Sequence, residues 1–158
     1  MAVRARDRTE SRLAVVTKCS ELCGYTLKFI NREGIFPKRS RWMMAEKIAD
    51  LVNNFYDAVN IANETNVTTA SEAEFRMLHI TEAIAYLNAL DSKMNFAVDV
   101  FDINPDLLDF WASLMNQEKK LLSGWKSSEK RKYSHLLSID AEDATPKGMV
   151  QEGTVKEE

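Results

Sequence analysis

Four long stretches in which apolar side chains recur every three or four residues, with almost no proline or glycine inside them, constrain this chain most. In the first, Leu13, Val16, Cys19, Cys23, Leu27 and Ile30 trace one face, and Val15, Leu22 and Tyr25 widen it. The second carries Met44, Ile48, Leu51, Val52, Phe55, Ala58, Val59 and Ala62; the third carries Phe75, Leu78, Ala83, Tyr86, Leu87, Leu90, Met94, Ala97, Val98 and Phe101. The fourth runs through Leu107, Leu108, Trp111, Leu114, Met115, Leu121, Leu122 and Trp125. This is a helical period, and no stretch alternates with the period of a strand.

The breakers set the boundaries. Gly34 suits a left-handed helix end, and Pro37 cannot continue a helix. Ser40 can cap the second helix, Thr69 followed three residues on by Glu72 has the form of a capping box, and Asn104-Pro105 suits a fourth start. Helices are therefore expected over residues 10–33, 40–63, 70–102 and 105–127, within about 2–4 residues at each end. Short turns between helices this long favour antiparallel neighbours. The expected fold is all-α, an up-down-up-down antiparallel four-helix bundle over 10–132, with a basic N-terminal arm (1–9) and a polar, acidic C-terminal tail (133–158) expected to be mobile. At 158 residues such a chain buries a core without metal or disulfide. Gly24, inside the first helix, costs about 1 kcal/mol of helix propensity or lets another backbone come close.

The net charge of −3 hides a segmented pattern: +6 over residues 1–47, −10 over 48–118, +5 over 119–132 and −4 over 133–158. In an up-down bundle, Arg4, Arg6, Arg8 and Arg12 gather at one pole with Lys119, Lys120, Lys126, Lys130, Arg131 and Lys132. At the other pole Lys38, Arg39 and Arg41 lie beside Asp99, Asp102, Asp106 and Asp109, which can neutralise them. Helix dipoles favour acids at starts and bases at ends, and that alone can account for much of the pattern. The functional reading is an electrostatic footprint for phosphates or an acidic partner, with Trp125 and Tyr133 as flanking aromatics, although Trp125 continues the core stripe.

No catalytic constellation assembles. A di-metal bundle needs Glu-x-x-His on two helices, but the residues three before His79 and His135 are Arg76 and Lys132. Arg131 and His135 enclose only three residues, too few for a helical ribonuclease pair of that kind. Cys19 and Cys23 have no histidine nearby and read as small core residues, while Asp50, Asp57, Glu72 and Glu82 are scattered. Glycine-rich phosphate loops are absent. The expectation is a non-enzyme with no catalytic residues, no metal and no cofactor. The opening residues lack a signal-peptide core and no apolar run has spanning length, so a cytoplasmic protein without membrane contact is expected.

Three stretches taken in order carry a resemblance: Phe36-Pro37-Lys38-Arg39-Ser40-Arg41 between the first two helices, Val59-Asn60-Ile61-Ala62-Asn63-Glu64 closing the second, and Leu121-Leu122-Ser123-Gly124-Trp125-Lys126-Ser127 closing the fourth. Over residues 10–128 the chain resembles the four-helix bundle family that includes the accessory variability determinant of diversity-generating retroelements and the proteins of intervening sequences in ribosomal RNA genes. The Gly-Trp-Lys-Ser ending tilts toward the retroelement branch. That resemblance implies a non-enzymatic homo-oligomer, a homopentamer, that binds a reverse transcriptase and helps engage template RNA or complementary DNA. It implies further that Phe36 and Pro37 shape the connection, that Lys38 and Arg41 form a basic pair at its rim, and that Gly124 and Trp125 close the fourth helix. The alternative is a structural or regulatory bundle of the intervening-sequence type with no polymerase partner.

Overall fold

The periodic stretches become helices α1 (Ala5–Ile30), α2 (Arg41–Glu64), α3 (Ala70–Phe101) and α4 (Asp109–Asp143), the last entered through a 3-10 turn at Pro105–Leu108. The computed structural model describes residues 5–143. Each helix packs on the next and α1 packs on α4, so the four form an up-down bundle with the apolar stripes turned inward. Val15, Cys19, Leu22 and Phe29 of α1 meet Ile48, Val52 and Phe55 of α2, Leu87, Leu90 and Met94 of α3, and Met115, Leu122 and Trp125 of α4 in one core.

Local chemistry fixes the ends. At α3 the Thr69 hydroxyl accepts from Glu72 N at 3.3 Å while the Glu72 carboxylate accepts from Thr69 N at 2.9 Å, closing the expected capping box. Glu72 also accepts from the Thr68 hydroxyl and amide, and these bonds, the hydroxyl foremost, hold its pKa down at about 2. Ser40 occupies the cap position of α2 but makes no side-chain cap bond; its carbonyl alone receives Met43 N and Met44 N. Asn104 accepts from Asp106 N at 3.1 Å and starts the 3-10 turn, which delays the fourth α-helix to Asp109. Gly34 has the left-handed φ of 85° expected of it. At the end of α3, Asp102 is also left-handed, with φ 49°, and the next amide, of Ile103, returns to Val98 O at 3.1 Å as Ile103 buries itself.

Two expected boundaries need correction. The first helix begins at Ala5, so residues 5–9 of the expected arm are its first turns. The fourth helix does not close near residue 127: it continues to Asp143, and 133–143 are helix rather than tail. The reason is that Glu129 and Tyr133 extend the Leu122–Trp125 stripe at helical spacing and are both buried. The remainder of the expected tail, 144–158, lies outside the described residues. Among the described residues, no helix is long and apolar enough to cross a membrane.

Candidate basic interface and buried charges

Antiparallel register places the end of α4 beside the start of α1. Trp111 Nε1 donates to Thr26 Oγ1 at 2.9 Å near one end of that pair, and Tyr25 meets Phe110 edge-on at 5.0 Å. Counting along both helices from there brings Arg12 level with Trp125 and sets Lys126, Lys130, Arg131 and Lys132 around the terminal pole. Lys130 and Arg131 are exposed and Lys126 is half-buried. Lys132 is exposed as well, with its ammonium 4.7 Å from the centre of the Tyr133 ring. Arg12 is half-buried on α1. Arg4 lies outside the described residues, as do the side chains of Arg6 and Arg8.

Lys119 does not belong to this pole. It pairs with Asp91 of α3 at 2.5 Å, well inside the length of the bundle, because its position on α4 faces α3 rather than the helix end. Lys120, its neighbour, points outward at the same level. Trp125 is buried and donates through Nε1 to Glu129 at 3.2 Å, so its ring is a core element. Gly124 and Trp125 sit in the middle of α4 and do not close it.

At the opposite pole Lys38 and Arg39 are exposed in the connection between α1 and α2, beside exposed Pro37. Arg41 opens α2, half-buried, with its Nε lacking a hydrogen-bond partner. Phe36 is buried and meets Phe101 edge-on at 5.4 Å, filling the end of the core. Among the described residues no ion pair joins Lys38, Arg39 or Arg41 to Asp99, Asp102, Asp106 or Asp109, so the expected mutual neutralisation is not made by direct contact.

Three charged residues on core stripes escaped the sequence reading. Arg76 of α3 is buried and reaches Glu129 of α4 at 3.1 Å, and its other terminal nitrogen donates to the Thr65 carbonyl in the α2–α3 connection. The Arg76 guanidinium also lies 5.9 Å from the centre of the Tyr133 ring. Glu118 of α4 is fully buried and neither carboxylate oxygen has a partner; burial pushes its pKa up to about 8, with the nearby Lys18 charge pulling the other way. The signal for all three was a charged residue standing on an otherwise apolar helical stripe.

Cys19 and Cys23 are free and buried with their sulfurs 4.0 Å apart, and their mutual hydrogen bond, followed by burial, raises the Cys19 thiol far above its ordinary pKa. A thiol held protonated is a poor nucleophile. His79 is half-buried on α3, with its Nδ1 2.7 Å from the Glu82 carboxylate but out of line for a hydrogen bond. Among the described residues no group of three His, Cys, Asp or Glu side chains could hold a metal ion. Comparisons with family models, with curated proteins and with solved structures find no match to this chain.

Proposed function

We propose that this chain is a non-enzymatic accessory protein of a diversity-generating retroelement, one that self-associates as a homopentamer, binds the reverse transcriptase and helps engage template RNA or complementary DNA. The observation that carries this reading is the Phe36–Arg41 connection. Its Phe36 is a core plug, and the plug holds Lys38 and Arg39 outward at one end of a four-helix bundle with no ion-pair partner among the described residues. Exposed, unpaired cations on a rigid helix end suit phosphate contacts, whose log affinity falls linearly with log salt. Lys130 and Arg131 supply a second such group at the other end.

The second reading, a structural or regulatory bundle of the ribosomal intervening-sequence type without a polymerase partner, is favoured by the net charge of −3, since a dedicated nucleic-acid coat is basic. Gene context separates the two: the retroelement reading expects a reverse-transcriptase gene and a repeat pair beside the coding sequence. Co-expression with that polymerase should give a complex that K126E/K130E/R131E weakens at unchanged melting temperature. An intact complex with this triple variant removes the basic pole from the contact, and a neighbourhood without a polymerase gene leaves the second reading in place.

A further inference from the structure

The bundle has two unlike sides. Its main contacts run from α1 to α2, α2 to α3, α3 to α4 and α4 to α1, so the α2–α3 side lies opposite the α1–α4 side. Eight of the eleven large apolar side chains exposed among the described residues sit on α2 and α3, among them Trp42 at 67%, Leu78 at 54% and Phe96 at 54%. On α3, Phe75, Leu78, Ala85, Ala89, Ser92 and Phe96 are exposed at the three-four spacing of a helix-packing seam, turned away from the Leu87–Met94 stripe in the core. Exposed apolar surface on this scale marks an interaction site. Its charge is acidic: among the described residues Glu46, Asp57, Glu74 and Asp99 are exposed without an ion pair, Lys47 is held by Asp50, and the unpaired cations of these two helices are Arg41, at the first position of α2, and Lys93, both half-buried.

The α1–α4 side is its complement. A β-carbon added at Gly24 of α1 or Gly124 of α4 meets nothing within 4 Å, so nothing among the described residues requires either glycine. Both glycines nonetheless sit in helix interiors, where glycine weakens a helix. Exposed Ser20, Ser113, Ser123 and Ser127 keep the surface beside the glycines low, and Leu13 and Phe110 are the large apolar side chains exposed on these two helices. Lys28, Lys120 and Arg131 stand exposed and unpaired on the same two helices. A side crowded with large apolar side chains and acids therefore faces away from a basic one that is low around its two glycines.

We infer that copies of this chain associate head to tail, the α2–α3 side of one seated on the α1–α4 side of the next, with large apolar side chains entering the space left by Gly24 and Gly124. Size agrees: two neighbouring helices sharing about 36 Å of length and about 20 Å of width present roughly 700 Å², close to the about 800 Å² per partner of a stable interface. Such a contact is heterologous, and it closes into a ring when the rotation between copies permits. The inference rests on the self-association in the proposed function and assigns the surfaces that make it.

Complementation decides it. L78E/F96E blocks the α2–α3 side, and G24E/G124E fills and repels at the α1–α4 side. By sedimentation velocity the wild type should run well above the 18.0 kDa chain mass, and each double variant should run as that monomer. An equimolar mixture of the two should then form a complex of twice that mass, because each retains the side the other lacks. An associated wild type whose G24E/G124E form still associates overturns the head-to-tail assignment and leaves self-association standing. A wild type that stays monomeric at high concentration overturns both. Circular dichroism checks the fold of each variant, and L78Q/F96Q and G124Q repeat the test should a charge cost helicity.

Discussion

Glu118 makes a sharp test of the core, because burial raises its pKa far more than the Lys18 charge lowers it. Both oxygens are without partners, and its pKa stands near 8 where an ordinary glutamate lies at 4.5. The folded protein therefore holds a proton that the unfolded chain gives up. Stability is whole below about pH 4.5, falls by roughly 1.4 kcal/mol per pH unit as pH rises toward 8, and levels off above. From those two pKa values the wild type loses about 1 kcal/mol at pH 5, about 3 at pH 7 and about 5 at pH 9. Replacing Glu118 with Leu keeps the volume and removes the ionisable group, so the variant should outlast the wild type by a margin that widens by about 4 kcal/mol between pH 5 and pH 9. Urea unfolding followed by circular dichroism in reductant reads this directly: with a slope near 2 kcal/mol/M, the gap between midpoints should widen by about 2 M. The Cys19 thiol, raised chiefly by its bond to Cys23 and by burial and in smaller part by the Glu118 charge, adds an alkaline loss that sets in near its ordinary value of 9.0 and, while the folded thiol stays protonated, is set by the unfolded chain and so is the same in both proteins. A gap that does not change with pH, or a Leu variant weaker than the wild type at pH 9, refutes the reasoning.

Other substitutions probe other links. Arg76→Met strands the buried Glu129 carboxylate and should cost about 3–5 kcal/mol in chemical denaturation, and R76M/E129M should recover part of that loss in a double-mutant cycle. Thr69→Ala breaks a formed capping box and should cost about 1 kcal/mol, whereas Ser40→Ala, at a cap with no side-chain bond, should stay within about 0.5 kcal/mol; thermal melts distinguish them. Gly124→Ala should raise monomer stability by about 1 kcal/mol, or some 2–4 °C, measured dilute enough to keep copies apart.

The helices were legible because their punctuation is strong: Pro37, the Thr69–Glu72 pair and Asn104-Pro105 all stand at real boundaries. The end of α4 was not. From Lys126 onward charges crowd the chain, and Glu129, a carboxylate on the buried stripe, breaks the apolar pattern just where Tyr133 resumes it. Segment charges were countable in one dimension, but which cation meets which anion depends on how helices align. Lys119 and Asp91 are 28 residues apart and Arg76 and Glu129 are 53 apart. The basic ends of the bundle were therefore visible in outline, whereas the loss of Lys119 to a neighbouring helix and the burial of Arg76 became visible only with the register.

The polar contacts at either end of α4 bear on how the bundle avoids alternatives to itself. An apolar stripe with a regular repeat can slide along its neighbours by one turn, about 5.4 Å, and still find apolar partners. Trp111 bonded to Thr26 and Glu129 bonded to Arg76 are separated by about 27 Å of helix and tie α4 to two different neighbours. A slip of one turn would break both ties together and leave a buried guanidinium and a buried carboxylate facing apolar side chains. The longest of the described helices, with two carboxylates on its own buried stripe, is in this way indexed like a key in a lock with two wards.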